Sequence, residues 1–254
     1  YQRASYMGTD VTQVIQAGPT AAPPASGFPI VDQRTHKGVG TASRGRIAVR
    51  SERARVEVTG WNRSEVGFET DGRYSIEHDS ELPLFRSEED ATRLALFVPA
   101  GTELELVAKE GETIVSGMTG TLTIHGGDRN VAVSRFDGRL DITAEAGNLA
   151  VVDLKTESAD LRTKGGAVSV SGLAFSRGRA SFESVSGNVS VDVAPSSSFR
   201  YQIHAPKGAC SGPAGATVPE RSASGTIGAG VGALSLRSQE GNAALATSGA
   251  LERD

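Results

Sequence analysis

Residues 102–150 read TELELVAKEGETIVSGMTGTLTIHGGDRNVAVSRFDGRLDITAEAGNLA, and the architecture follows from the spacing inside this stretch. Leu104, Thr113, Leu122, Val131, Leu140 and Leu149 stand nine residues apart, each the first inward position of a short alternating run. Glycine keeps the same phase two positions ahead at Gly111, Gly120, Gly138 and Gly147, with Arg129 the exception. A unit of about five strand residues and four turn residues fits this step, the turn needing a residue that tolerates positive φ.

The same register runs on through Ala159, Val168, Ala180 and Val189, with an insertion of three residues around Leu173–Arg177. It returns where Gly232 precedes Leu234 and Gly241 precedes Ala243. Two architectures make such units: consecutive hairpins, or the sides of a β-solenoid in which each side stacks on the previous coil. Two-residue hairpin turns favour Asn-Gly, whereas this chain writes Gly147-Asn148, Gly187-Asn188 and Gly241-Asn242. Constant unit length is what stacked coils demand. The expectation is an all-β, β-solenoid or β-helix-like stack, with about 18 residues and two strands per coil, or three sides as the variant.

N-terminal to the repeats, 45–101 reads as an irregular β segment capping the stack. Arg46–Val49, Arg55–Val58, Glu65–Phe68 and Arg73–Ile76 alternate apolar with polar residues, and 80–93 reads as a loop with a helical turn. Residues 102–194 hold the nine-residue repeats, 195–230 a Gly/Pro/Ser-rich insertion loop in which Phe199, Tyr201 and Ile203 alternate like a strand, and 231–254 the final repeats and tail. Residues 1–44 form an extended arm, because Pro19, Pro23, Pro24 and Pro29 interrupt any long helix. Within it, Asp10 caps a short expected helix over 11–17, ended by Gly18-Pro19. Such a helix is marginal alone and needs something to pack on, so Val11, Val14 and Ile15, with Phe28 and Ile30 further along, are the expected partner-binding residues.

Composition supports thin β layers. Of 254 residues 31 are Gly and only 5% are aromatic, so the core must be built from Val, Leu, Ile and Ala. Scattered basic residues, 26 against 30 acidic ones, argue against nucleic-acid binding. A single cysteine excludes an internal disulfide framework and a Cys-based zinc cluster. No run approaches the ~18 apolar residues of a membrane-spanning helix, so the chain is expected to have no transmembrane segment of its own. Its start at Tyr1 rather than Met predicts a removed leader or a trimmed start.

At this point the chain resembles a known group. Val56-Glu57-Val58-Thr59-Gly60-Trp61, Phe97-Val98-Pro99-Ala100-Gly101 and the Gly-led repeats ending in Ser184–Val191 are similar to the bacterial putative-adhesin family of β-strand-repeat proteins, mostly of unknown function. The resemblance covers about residues 45–250. It implies a β-solenoid exported to, or displayed at, the cell envelope, periplasmic or extracellular, with no catalytic residues to carry over. The long insertion at 195–230 and the Pro-rich arm depart from that pattern.

Each chemical motif has a plainer reading. His125-Gly126-Gly127-Asp128 is the nearest approach to a calcium-binding nonapeptide turn, but the other turns lack a second glycine and a phased Asp, so Asp128, Asp137 and Asp141 read as solvated. Gly208-Ala209-Cys210-Ser211-Gly212 has the outline of a nucleophile elbow, yet Gly212-Pro213 cannot start the helix that an elbow needs. Gly228–Ala233 matches a dinucleotide fingerprint formally and is followed by a strand, not a helix. His36, His78, His125 and His204 lack metal-ligand spacing. Glu103/Glu105 and Glu110/Glu112 share a solvated strand face. Asn62-Arg63-Ser64 and Asn188-Val189-Ser190 are formal glycosylation sites with little weight in a bacterial chain. Trp61 reads as a plug for the end of the stack or a recognition residue.

The functional expectation is therefore a non-enzymatic structural or protein-interaction module, with no catalytic, cofactor or metal residue. It would dock through its arm and a flat β face to a protein partner or a multi-subunit envelope complex. Two alternatives stand beside it: a cell-surface adhesin for glycan or matrix polymers, and a polysaccharide-acting hydrolase or lyase. The last requires Glu103, Glu105, Asp141 and Glu145 to converge. No cofactor and no small-molecule ligand is expected.

Overall fold

The computed structural model describes residues 2–5, 36–40, 45–78, 83–87, 91–175, 177–213, 217–218 and 221–247. The described chain is nearly all β, without an α-helix, and has the β-solenoid-like fold expected from the nine-residue step. It divides into two compact units, Tyr1–Thr123 and Ile124–Asp254.

In the first unit, β1 (Gln2–Ser5), β2 (His36–Gly40), β3 (Arg46–Ser51), β4 (Arg55–Trp61), β5 (Val66–Thr70), β6 (Tyr74–His78), β7 (Pro83–Ser87), β8 (Arg93–Pro99), β9 (Thr102–Ala108) and β10 (Thr113–Ser116) form two stacks. One side runs β1, β6, β7, β3, β9 and the other β2, β5, β8, β4, β10. The inner rungs pair in parallel, while β5 and β6 pair antiparallel with β8 and β7. Ile47, Val49, Val56, Val58, Leu94, Leu96, Leu104 and Leu106 fill the space between the sides. Phe68 packs on Tyr74 and Phe85 toward the antiparallel strands, with ring centroids 5.1 and 5.7 Å apart.

Two sequence expectations change here. The stretch 80–93 contains strand β7, which slots between β3 and β6; Pro83 opens it, where its missing N–H disturbs the ladder least. The ends of the arm, β1 and β2, are strands paired with β6 and β5. The expected helix over 11–17, and with it Val11, Val14, Ile15, Phe28 and Ile30, lies outside the described residues.

Strand β11 (Thr119–Gly126) carries the chain into the second unit. There β12 (Val131–Ala144) and β13 (Leu149–Thr163) each supply both sides of one coil, turning at a corner marked by Arg135 (φ 53°) and Asp153 (φ 56°). Then follow β14 (Val168–Leu173), β15 (Arg179–Ser184), β16 (Val189–Val193), β17 (Phe199–His204), β18 (Cys210–Ser211), β19 (Thr217–Val218), β20 (Ser222–Ile227), β21 (Gly232–Ser238) and β22 (Ala243–Thr247). One side stacks β12, β13, β14, β16, β22, β18 and the other β12, β13, β15, β21, β17, β20. All pairings in these two rows are parallel except β17 with β20. The coil therefore has two sides.

Strands β21 and β22 do not end their rows. They lie inside them, β21 between β15 and β17, and β22 between β16 and β18. The stretch 195–230, read from sequence as an insertion loop, contributes β17, β18 and β20. Phe199, Ile203, Ala205 and Cys210 bury inward there; the alternation of Phe199, Tyr201 and Ile203 marks β17 in the sequence, while the Gly, Pro and Ser that follow mask the strands beyond it.

Every position of the nine-residue register is buried, from Leu104 to Leu149 and on through Ala159, Val168, Ala180, Val189, Leu234 and Ala243. The role of the phased glycines differs in part from expectation. Gly120 and Gly138 have positive φ, 122° and 146°, but Gly147 and Gly241 do not. At those corners what matters is closeness: a Cβ on Gly147 would sit 1.8 Å from the Arg129 carbonyl oxygen, and one on Gly166 or Gly187 2.2 Å from the carbonyl oxygen of the glycine in the preceding rung. Rungs approach through bare backbone. The adjoining Asn residues cross-link them, Asn130 Oδ1 accepting the Asn148 N–H at 3.0 Å, Asn148 Oδ1 the Ala167 N–H at 2.8 Å and Asn188 Oδ1 the Asn242 N–H at 2.8 Å.

Candidate functional site

A stack whose interior is filled with Val, Leu and Phe keeps its polar chemistry on its outward faces. In the second unit those faces differ. On one, Ala132, Ala150, Ser169, Ser190 and Ala244 stand in register on successive strands, so no side chain in this row is longer than serine. Val152, 45% exposed, lies on the same side near the corner.

The other face is charged. Arg139, Ser158, Arg179, Ala233 and Arg200 form one column across β12, β13, β15, β21 and β17, all on the outward side. Two residues along each strand, Asp141, Asp160, Ser181, Ser235 and Gln202 form the next column. Burial pushes the Asp160 carboxyl above its ordinary value; Arg162, bonded to it at 2.5 Å, opposes that push, and the nearby Asp141 and Glu183 add to it.

Where the two sides meet at the β12 and β13 turns, a cavity of about 790 Å³ opens. Asp137, Arg139, Lys155, Thr156, Glu157 and Arg177 are among the residues that line it. Lys155 donates to Asp137 at 2.8 Å, which raises the Lys155 pKa, and Arg177 pairs with Glu157. The Thr156 hydroxyl donates to the Gly138 carbonyl at 2.7 Å and fixes the bulge between Asp137 and Arg139. Ala174, Phe175 and Arg177, from the stretch whose three-residue insertion is legible in the sequence, line one side of it, and Phe175 packs against Phe199.

In the first unit several outward carboxylates are paired with basic side chains on the same or a neighbouring rung. Arg46 meets Glu103 at 3.0 Å, Lys109 meets Glu52 at 2.9 Å, and Glu57 takes both Arg55 at 3.0 Å and Arg93 at 2.6 Å. Exposed pairs of this kind contribute little stability each, about 0–1 kcal/mol. Trp61 does not plug an end of the stack: it closes β4, which lies between β8 and β10. It lies over the outward side, its ring 5.4 Å from Phe97 and above the Cα of Gly67, where a Cβ would come within 2.8 Å of it. Its Nε1 donates to the Glu65 carbonyl at 2.7 Å, and the Arg63 guanidinium sits 5.0 Å from the ring centroid.

The remaining sequence candidates fall as follows. Cys210 is buried, and burial pushes its thiol pKa up, opposite to what a nucleophile needs. Gly228 and Gly230 have positive φ in the turn between β20 and β21. Glu103 and Glu105 belong to the first unit; in the second, Asp141 lies opposite Asp160, and Glu145 sits at the corner bonded to Lys164 at 2.5 Å. Among the described residues no three His, Cys, Asp or Glu side chains gather to hold a metal ion. The sequence reading missed the arginine column, because Arg139, Arg179 and Arg200 align only once the rung offset at each corner is known.

The Toastrack DUF4097 family model matches residues 49–246, from within β3 to within β22. The chain belongs to this family. Two solved structures are similar to this Toastrack chain at low identity. One, described as a putative cell adhesion protein from Clostridium sporogenes, is 9% identical over 84% of this chain and 99% of that one, with a TM-score of 0.37. The other, a putative adhesin from Bacteroides fragilis, is 12% identical over 85% and 98%, with a TM-score of 0.46. No curated protein matches.

Proposed function

We propose that this Toastrack protein is a non-enzymatic interaction module of the bacterial cell envelope, which docks to a protein partner through its N-terminal arm and the flat face of its second unit. The observation that carries the reading is the row Ala132, Ala150, Ser169, Ser190 and Ala244: five rungs held in register present a surface without protruding side chains, suited to lying against another protein. The pairing of Glu103 with Arg46 and of Glu145 with Lys164, and the buried Cys210 thiol, favour a binding role over catalysis. An envelope location accords with the family resemblance of the repeats.

The test uses the whole protein against the detergent-solubilised envelope fraction of its source. Three forms are compared: the natural chain, a form with residues 6–35 replaced by a Gly/Ser linker so that β1 and β2 are kept, and Ser190→Glu. Loss of one and the same co-purifying protein with both altered forms supports the proposal. Retention of that protein by both refutes it.

A second reading, binding of polymers through an exposed strand face, is favoured by the arginine column alone.

A further inference from the structure

Arg139, Arg179 and Arg200 occupy alternate strands of one column, separated by Ser158 and Ala233. Adjacent strands lie ~4.8 Å apart, so guanidinium-bearing positions recur about every 10 Å along the stack, with shallow slots between them. These arginines differ from their neighbours. Arg162 and Arg237 on the same face are tied to Asp160 and Glu183, whereas Arg139, Arg179 and Arg200 make no ion pair among the described residues. Arg200 is oriented by its Nε, which donates to the Gly230 carbonyl at 3.1 Å and leaves the outer nitrogens free for an anion. Three cations carried at even spacing on the backbone frame, the Arg200 guanidinium among them held in place, select a linear polyanion whose charges repeat at the same interval.

We propose that this column binds a linear acidic polysaccharide carrying one carboxylate or sulfate per pair of sugars. The adjoining column supplies Ser181, Ser235 and Gln202 as hydrogen-bonding partners for sugar hydroxyls. Asp141 and Asp160 oppose the polymer only at the β12–β13 end, so the grip is firmest from Arg179 to Arg200. A nucleic acid fits this frame poorly, since its phosphates recur every ~3.4 Å along a duplex strand. The proposal rests on the second reading given above, the exposed face as a polymer-binding surface, and is independent of the arm.

The test measures binding of the intact protein to hyaluronan, which has one carboxylate per disaccharide, beside polygalacturonate, neutral dextran and duplex DNA. Expected is salt-sensitive binding of hyaluronan, weaker binding of polygalacturonate and DNA, and none of dextran. Arg139→Gln with Arg179→Gln should weaken hyaluronan binding about tenfold or more, since each change removes a charge-assisted hydrogen-bond donor to a polymer carboxylate. Arg53→Gln, in the first unit, should leave it unchanged, as should the linker replacement of 6–35. Absence of hyaluronan binding, equal binding of all the polyanions, or full binding by the double variant would each overturn the proposal. Loss of the co-purifying protein with hyaluronan binding intact would instead separate the docking reading from this one.

Discussion

The hydroxyl of Ser184 donates to the carbonyl oxygen of Gly166 at 2.6 Å, and the Ser184 Oγ in turn accepts the N–H of Gly187 at 2.8 Å. Ser238 repeats the arrangement between Gly187 and Gly241, and Thr163 between Gly147 and Gly166. The corner is thus a Ser or Thr three residues before a glycine, binding one rung internally and the preceding rung through a carbonyl.

Removing that hydroxyl strands two backbone groups at a closely packed corner. Ser184→Ala should lower the unfolding free energy by about 2 kcal/mol. Ser184→Thr should recover most of the loss, because threonine already fills the same role at position 163. Urea unfolding of the three proteins checks this, and equal midpoints for Ser184→Ala and the natural chain would contradict it.

Glycine substitutions separate closeness from backbone conformation. Gly147→Ala drives a methyl into the Arg129 carbonyl and should cost about 3 kcal/mol, as overpacking does. At Gly101 a Cβ meets nothing within 4 Å, but φ is 78°, so Gly101→Ala should cost only about 1–2 kcal/mol. Thermal melts that reverse this order would remove the close-approach explanation.

Asp71 joins the turn after β5 to the start of β8. Burial pushes its carboxyl up, but hydrogen bonds from the Thr92 hydroxyl and from the N–H groups of Arg93 and Thr92 outweigh this and hold it below its ordinary value. A depressed folded-state pKa means that the stabilisation is complete above the usual carboxylate range and disappears as pH falls through the lowered value. Asp71→Ala should therefore lose stability at pH 7, by about 1 kcal/mol, and match the natural chain once the pH falls below that value. Melting temperatures from pH 7 to 2 supply the comparison.

Asp160 is expected to behave in the opposite sense. Its carboxyl is raised by burial and by Asp141 and Glu183, so its ionised form opposes folding above the folded-state pKa. Asp160→Asn should raise the melting temperature at pH 7, with the gain shrinking as the pH is lowered and the natural carboxyl takes up its proton. A lower melting temperature at pH 7 would mean that the Arg162 pair dominates.

What could be read from sequence follows the physics of each signal. Inward positions from Leu104 to Leu149 were legible because burial on a strand imposes period two and stacking imposes equal rungs. The three-residue excess near Leu173–Arg177 was visible as a break in phase, though not that residues of this stretch line a cavity. Pairing order was hidden. Nothing in Leu234 or Leu84 distinguishes an interior rung from a terminal one, since each makes the same inward contact either way. Non-local pairing is set by which edges remain open, and a period cannot encode that.

The placement of β21 between β15 and β17 makes order of synthesis differ from order in space. When β15 and β16 leave the ribosome, the strands that will continue their ladders are still unmade; Asn242 reaches back to Asn188 across 54 positions. Until residues 232–247 emerge, two adhesive backbone edges face each other with a strand-wide vacancy between them, open to a neighbouring nascent chain as readily as to the rightful occupant. A stop codon anywhere upstream of that keystone would yield a protein prone to aggregation rather than a shorter, working stack.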